Sequence, residues 1–148
     1  MISSIVVGTD GSETAGKAVA EAAQLAAQIG AAMEIVSAYA PNPNQRLREE
    51  GRQVPEDPEW MVTGRDEIDA KLSEARQLAQ QAGVKEVNVH AREGDPADAI
   101  LDVAEERGSD LIVVGNKGMS GAKRFLLGSV PNKVSHHAPC SVLIVRTT

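Results

Sequence analysis

Residues 115–134 read GNKGMSGAKRFLLGSVPNKV. Gly115, Gly118, Gly121 and Gly128 recur in this stretch, and Ser129 follows the last of them where a short helical pattern begins. Glycines let a backbone turn sharply and come close to a ligand. Successive backbone N–H groups leading into a helix N-terminus attract an anion. Ser129 adds a hydroxyl donor, and Lys117, Lys123 and Arg124 add positive charge. Pro131 fits the first helical turn, where its missing N–H would have had no intrahelical acceptor. This combination points to recognition of a phosphate or another small anion. A glycine-rich surface loop is the plainer alternative.

A second stretch invites the same reading and fails it. GSETAGKA, residues 11–18, carries the G-x-x-x-x-G-K spacing of a P-loop from Gly11 to Lys17, but Ala18 stands where the magnesium-binding hydroxyl belongs. A helical pattern starts near Ser12, which puts Gly16 and Lys17 inside the helix, opposite its apolar stripe and facing solvent. No strand ends in an Asp to hold magnesium, since DLIVVGN closes with Gly115 and Asn116. What remains is the turn Gly8-Thr9-Asp10-Gly11-Ser12, with two readings: a strand-to-helix turn with Asp10 or Ser12 as N-cap, or a turn whose Asp10 accepts from a ribose hydroxyl at the mouth of a nucleotide site.

The elements that must position these groups are legible from periodicity. Five strand-like runs stand out at 4–9, 33–40, 86–92, 110–115 and 141–146, three of them nearly continuous β-branched runs suited to burial on both faces. Between them lie helical patterns. The first covers 12–29, with Ala15, Ala18, Val19, Ala22, Leu25, Ala26 and Ile29 on one stripe and Gly30 as its stop. The second covers 65–82, with Ile68, Leu72, Ala75, Leu78 and Ala79 on one face. The third is capped by Asp95, has Pro96 in its first turn and ends at Gly108; a short fourth starts near Val130 and ends before Pro139. Strands alternating with helices predict an α/β parallel sheet with right-handed crossovers. Residues 41–64 break the rhythm, holding four of the seven prolines and Trp60; a lid and a plain insertion both fit a segment of that length.

With 148 residues the chain suits one domain. Aromatic content is only 2%, so Ala, Val, Leu and Ile must fill the core. One cysteine, Cys140, excludes an internal disulfide framework. No leader pattern and no apolar run long enough for a bilayer are present, which together predict a cytoplasmic protein without a membrane partner. The net charge of −6 argues against a nucleic-acid partner. That charge is unevenly spread: all 21 acidic residues lie at or before Asp110, while residues 111–148 carry five bases and no acid. A local preference for a small anion and a solvated basic face both explain this.

The spacing Gly115-x2-Gly118-x9-Gly128-Ser129 resembles the nucleotide-binding signature of the universal stress protein family. The resemblance runs along the whole chain through VVGTDGS, DLIVVGNKG, LLGSVPNKV and the last strand, CSVLIVR. It implies one such domain over 1–148, built as an open five-stranded parallel sheet of order 3-2-1-4-5 with helices on both faces. In that order the first and fourth strands adjoin at the switch point where open α/β sheets bind ligands. The resemblance further implies an adenine nucleotide as ligand: ATP (with magnesium), AMP or cyclic AMP. Asp10 would then bind ribose while Gly8 and Thr9 shape the turn. Ala38 would border adenine, and Val114, Gly115, Gly118, Gly128, Ser129 and Val130 would wrap the ribose–phosphate end, with Asn116 in a variable position between the glycines.

No nucleophile–base pair and no metal-binding cluster is apparent, so no catalytic or metal-ligating residue is assigned. His136 and His137 are adjacent near a helix end and cannot both face one site. His90 alternates with Val87 and Val89 on a strand and is expected to face solvent. The expected function is a nucleotide-binding stress-response or signalling protein. A slow magnesium-dependent ATPase switch and a protein-interaction module without nucleotide binding are the alternatives. Val142, Leu143, Ile144 and Val145 form an apolar strand at the sheet edge, which predicts a two-fold homodimer through that strand; the resemblance also implies dimers.

Overall fold

The computed structural model describes residues 1–39, 65–116 and 128–147. Residues 41–64, read as a lid or as a plain insertion, lie outside them, together with Gly118, Lys117, Lys123 and Arg124. Five strands are present: β1 Ser4–Gly8, β2 Ala32–Tyr39, β3 Val87–Glu93, β4 Leu111–Gly115 and β5 Ser141–Val145. Four helices accompany them among the described residues: α1 Glu13–Ile29, α2 Arg65–Gln81, α3 Pro96–Glu106 and α4 Ser129–His137. All strands run parallel in the order β3-β2-β1-β4-β5. This is the expected α/β arrangement, a Rossmann-like sheet with helices on both faces.

Each face of the sheet has its own core. On one, Ile5, Val7, Met33, Ile35, Leu111 and Val113 meet Ala18, Val19, Ala22, Ala23 and Ala26 of α1, and Ile68, Leu72, Ala75 and Ala79 of α2. On the other, Val6, Val36, Ile112 and Val114 meet Ala97, Ile100 and Val103 of α3, and Val130 and Val134 of α4. The odd–even split of β1 between these clusters is the period-two alternation of a strand buried on both sides. Alanine on α1 brings that helix close to the sheet, which suits a chain with few aromatics. The stripes are narrower than periodicity suggests: Ile29 and Leu78 are exposed at the lower ends of α1 and α2.

Local chemistry sets the helix ends. Ser12 caps α1, its Oγ accepting from the Ala15 N–H at 3.2 Å, and Gly30 closes that helix at φ +73°. Asp95 caps α3, with Oδ2 accepting from the Asp98 N–H at 3.0 Å. At the amino ends of β1 and β4, one Asp110 oxygen accepts from the Ser3 N–H, the Ser3 hydroxyl and the Ser4 N–H at 2.8, 2.9 and 3.1 Å. These bonds hold the Asp110 carboxyl below the usual carboxylate range.

His90 does not face solvent. It shares the β3 face with Asn88 and Arg92, and α3 covers that face. Its Nε2 lies 3.0 Å from Oε2 of Glu34, a β2 side chain only 3% exposed. Arg107 Nε donates to Glu34 Oε1 at 2.8 Å and Asn88 Nδ2 at 3.2 Å. Alternation along β3 correctly separates His90 from Val87 and Val89, but that face is partly buried and His90 turns inward to Glu34. Glu34 is thus a buried carboxylate with three partners from two other elements. Glu34→Ala removes the acceptor and leaves Asn88 and His90 unpaired within the sheet–helix interface. The expected loss is on the order of 2 kcal/mol, read as a lower urea midpoint at unchanged slope; an unchanged midpoint would show that the cluster contributes nothing to stability.

Candidate functional site

β1 and β4 stay in register only to Val7 and Val113. Beyond that pair the chain leaves β1 into α1 on one face of the sheet, and α4 packs on the other. A shallow crevice with a cavity volume of about 30 Å³ lies at this divergence. Gly8 of β1 and Val114 and Gly115 of β4 form its base. Thr14, Ala15 and Ala18 of α1 wall one side, Val130 and Pro131 of α4 with Ile100 of α3 wall the other, and Thr147, just beyond β5, completes the lining.

The shape of the crevice follows from small residues. Gly8, Gly115, Ala15 and Ala18 project little or nothing into it, so the space stays open where larger residues would have filled it. The first turns of α1 and α4 both border it, and two converging helix N-termini favour negative charge. α4 begins at Gly128, which supplies no side-chain cap. Val130 and Val134 seat it on the sheet, and at its surface Lys133 Nζ lies 2.9 Å from Asp98 Oδ1 and 3.3 Å from Asp95 Oδ2 of α3. Asp95 is held below the usual carboxylate range, chiefly by the Asp98 N–H and then by Lys133.

The turn at the end of β1 is tightly determined. Thr9 is buried; its N–H donates to Val36 O at 2.9 Å, its carbonyl accepts from the Ser37 hydroxyl at 2.6 Å, and its Oγ1 accepts from the Gly11 N–H at 3.0 Å. Gly11 has φ +80°, and a Cβ there would sit 2.5 Å from Cδ of Lys71 on α2. Asp10 Oδ1 accepts from the Ser12 N–H at 2.8 Å, an Asx turn that carries the chain into α1. Asp10 therefore does the local turn chemistry, and its second oxygen takes no hydrogen bond among the described residues.

Of the residues expected to form a site, Gly8, Val114, Gly115 and Val130 line the crevice. Thr9 and Asp10 stand in the adjoining turn. Gly128 and Ser129 open α4, and Asn116 follows Gly115. Ala38 lies near the end of β2, two residues past the partner of Gly8 in the β1–β2 register. Gly118 lies outside the described residues. Thr14, Ile100, Pro131 and Thr147 line the crevice without having been expected there. Ala15 and Ala18 were legible as helix stripe, but nothing local marked that stripe's first turn as a crevice wall. Lys17 reaches Thr147, its Nζ donating to the Thr147 carbonyl at 3.3 Å, whereas Gly16 sits inside α1 with nothing within 4 Å of a would-be Cβ. GSETAGKA is thus helix, not phosphate loop. Burial pushes the Cys140 thiol up, which keeps it protonated at neutral pH. Among the described residues no group of three or more His, Cys, Asp or Glu is placed to hold a metal ion.

A profile of the universal stress protein family matches residues 1–146. The universal stress protein Rv1636 of Mycobacterium tuberculosis is 42% identical over 144 residues, covering 97% of this chain and 96% of that protein. Among solved structures, a universal stress protein in complex with cAMP is 35% identical with a TM-score of 0.74, over 99% of this chain and 98% of that one. The Archaeoglobus fulgidus universal stress protein in complex with dAMP is 27% identical with a TM-score of 0.67, over 99% of this chain and 100% of that one. The sheet order, the switch-point crevice and these matches along the whole chain agree: the chain belongs to the universal stress protein family.

Proposed function

We propose that this protein binds an adenine nucleotide in the β1/β4 crevice and acts in a stress response or in signalling. The observation that carries this is the open, small-residue crevice at the switch point, flanked by two helix N-termini, in a chain whose relatives hold cAMP and dAMP. In this reading Asp10 accepts from the ribose through the oxygen its own turn leaves open. Ala38 borders adenine. Val114, Gly115, Gly118, Gly128, Ser129 and Val130 surround the ribose–phosphate end, with Asn116 beside them. ATP, with magnesium, and cyclic AMP are both ligands of this chemistry. The chain acts as one domain, 1–148, in the cytoplasm; among the described residues no helix is long and apolar enough to cross a membrane.

Calorimetric titration of nucleotide-stripped protein with ATP and with cyclic AMP, each with and without magnesium, tests this. One nucleotide per chain is expected, and Asp10→Ala weakens binding ~10-fold, the equivalent of about 1.4 kcal/mol. Wild-type protein that binds neither nucleotide contradicts the proposal.

The edge strand supports a second part of the proposal, a homodimer. β5 pairs only with β4 in the sheet, and Leu143 and Ile144 are 42% and 38% exposed. Together with Val142 and Val145 they present an apolar edge that a second copy covers. Sedimentation is expected to give a dimer for the wild type and a monomer for Leu143→Glu/Ile144→Lys; a monomeric wild type overturns this interface.

A further inference from the structure

Asn116 sits where β4 ends, and its polar groups bond two other segments, the end of β5 through Thr147 and the start of α4. Its N–H donates to Val145 O at 2.9 Å, and its carbonyl accepts from the Gly128 N–H at 3.0 Å. Its Oδ1 accepts from both the N–H and the hydroxyl of Thr147, at 2.9 and 3.1 Å. Thr147 is only 3% exposed. Lys17 Nζ donates to its carbonyl, and its Cγ2 lies 3.2 Å from the position a Cβ on Gly115 would take.

Two consequences follow from this geometry. Asn116 and Gly128 are joined by a backbone hydrogen bond, which holds the end of β4 and the start of α4 together beside the crevice. The crevice wall also includes a residue beyond the last strand, and both hydrogen bonds that this residue donates go to one amide oxygen. An uncharged amide suits the position: it accepts two hydrogen bonds and adds no negative charge beside the start of α4. Alanine at 116 would leave the Thr147 N–H and hydroxyl buried without their acceptor. The opposite side of the crevice is held independently, by Val36 and Ser37 gripping Thr9.

We infer that Asn116 is a positioning residue whose grip on Thr147 is coupled to nucleotide binding: the seated Thr147, packed beside Gly115, completes the crevice wall at the end that receives the phosphate. This rests on the adenine-nucleotide reading above. Lys17, the residue that made GSETAGKA look like a phosphate loop, acts at one remove by holding the Thr147 carbonyl. Coupling of this kind is reciprocal, so the factor by which an unseated Thr147 weakens the ligand is the factor by which the ligand suppresses its unseating.

The test uses the full chain with AMP, reading affinity by calorimetry and Thr147 amide exchange by NMR. Saturating AMP is expected to slow exchange at Thr147 in the wild type by ~10-fold, and Asn116→Ala to weaken AMP by a similar factor. Thr147→Val, which keeps the shape and the N–H but loses the hydroxyl, shows a smaller loss of affinity in the same direction. A purely structural role for Asn116 would not make Thr147 exchange depend on AMP. The inference is overturned if AMP binds the wild type and leaves Thr147 exchange unchanged, or if folded Asn116→Ala binds AMP as the wild type does. If Asn116→Ala does not fold, Thr147→Val with wild-type affinity overturns it equally. A wild type that binds none of AMP, ATP and cyclic AMP removes the underlying reading as well, a result distinct from the other three; where it binds ATP or cyclic AMP but not AMP, that nucleotide takes the place of AMP in both readings.

Discussion

The structure depends on one constraint: β1 lies at the centre of a parallel sheet and is paired on both sides. The chain builds outward from β1 through β2 and β3, then returns to place β4 against the other edge of β1. The helices that follow β1 and β4 therefore depart to opposite faces. At the amino ends Asp110 bridges the strands through three hydrogen bonds with Ser3 and Ser4. At the carboxyl ends the register stops at Val7 and Val113, and the backbones diverge around an opening. The fold is closed at one end of this strand pair and open at the other, and that asymmetry creates the site.

Packing on both faces preserves the opening. Ala15 and Ala18 of α1 are too small to reach across it, and the same alanine-rich face continues downward to pack against Ile5, Val7 and Ile35. α4 is short and begins without a side-chain cap, so its orientation comes from outside: from Val130 and Val134 buried against the sheet and from Lys133 held by Asp95 and Asp98 on α3. The Asp95 cap of α3 thus serves two helices at once. The half of the sheet away from the crevice is fastened differently, by Glu34 and its partners Asn88, His90 and Arg107. Charge is buried where β2, β3 and α3 must stay fixed; the crevice is lined by small and apolar residues where a ligand is to enter.

The strands were legible because β-branched runs such as IVVG and LIVV have few other places to go, and their bounds agree with the structure within about one residue. Helix ends were legible where a side chain or glycine performs the capping, as at Asp95, Ser12 and Gly30. The sheet order was not readable from strand patterns; it came with the family resemblance, and the crevice followed from the order. Glu34 and His90 were opaque for a physical reason: their pairing joins adjacent strands beneath a helix, so alternation along one strand shows which face a residue takes but not what covers that face. Thr147 was opaque because its role depends on an amide 31 residues earlier in the chain. Lys17 was misleading in a similar way. Its spacing suggested phosphate, helical geometry placed it on a solvated face, and its contact with Thr147 emerges only from tertiary structure.

The central claim is that an adenine nucleotide occupies the divergence between β1 and β4. Mapping amide shifts across the whole chain during titration with AMP tests it most directly. The largest shifts are expected on Gly8, Thr9, Asp10, Ala38, Gly115, Gly128 and Ser129, with the amino-end residues around Ser3 and Asp110 unmoved. No saturable shifts, or shifts concentrated away from the carboxyl ends of β1 and β4, would contradict it.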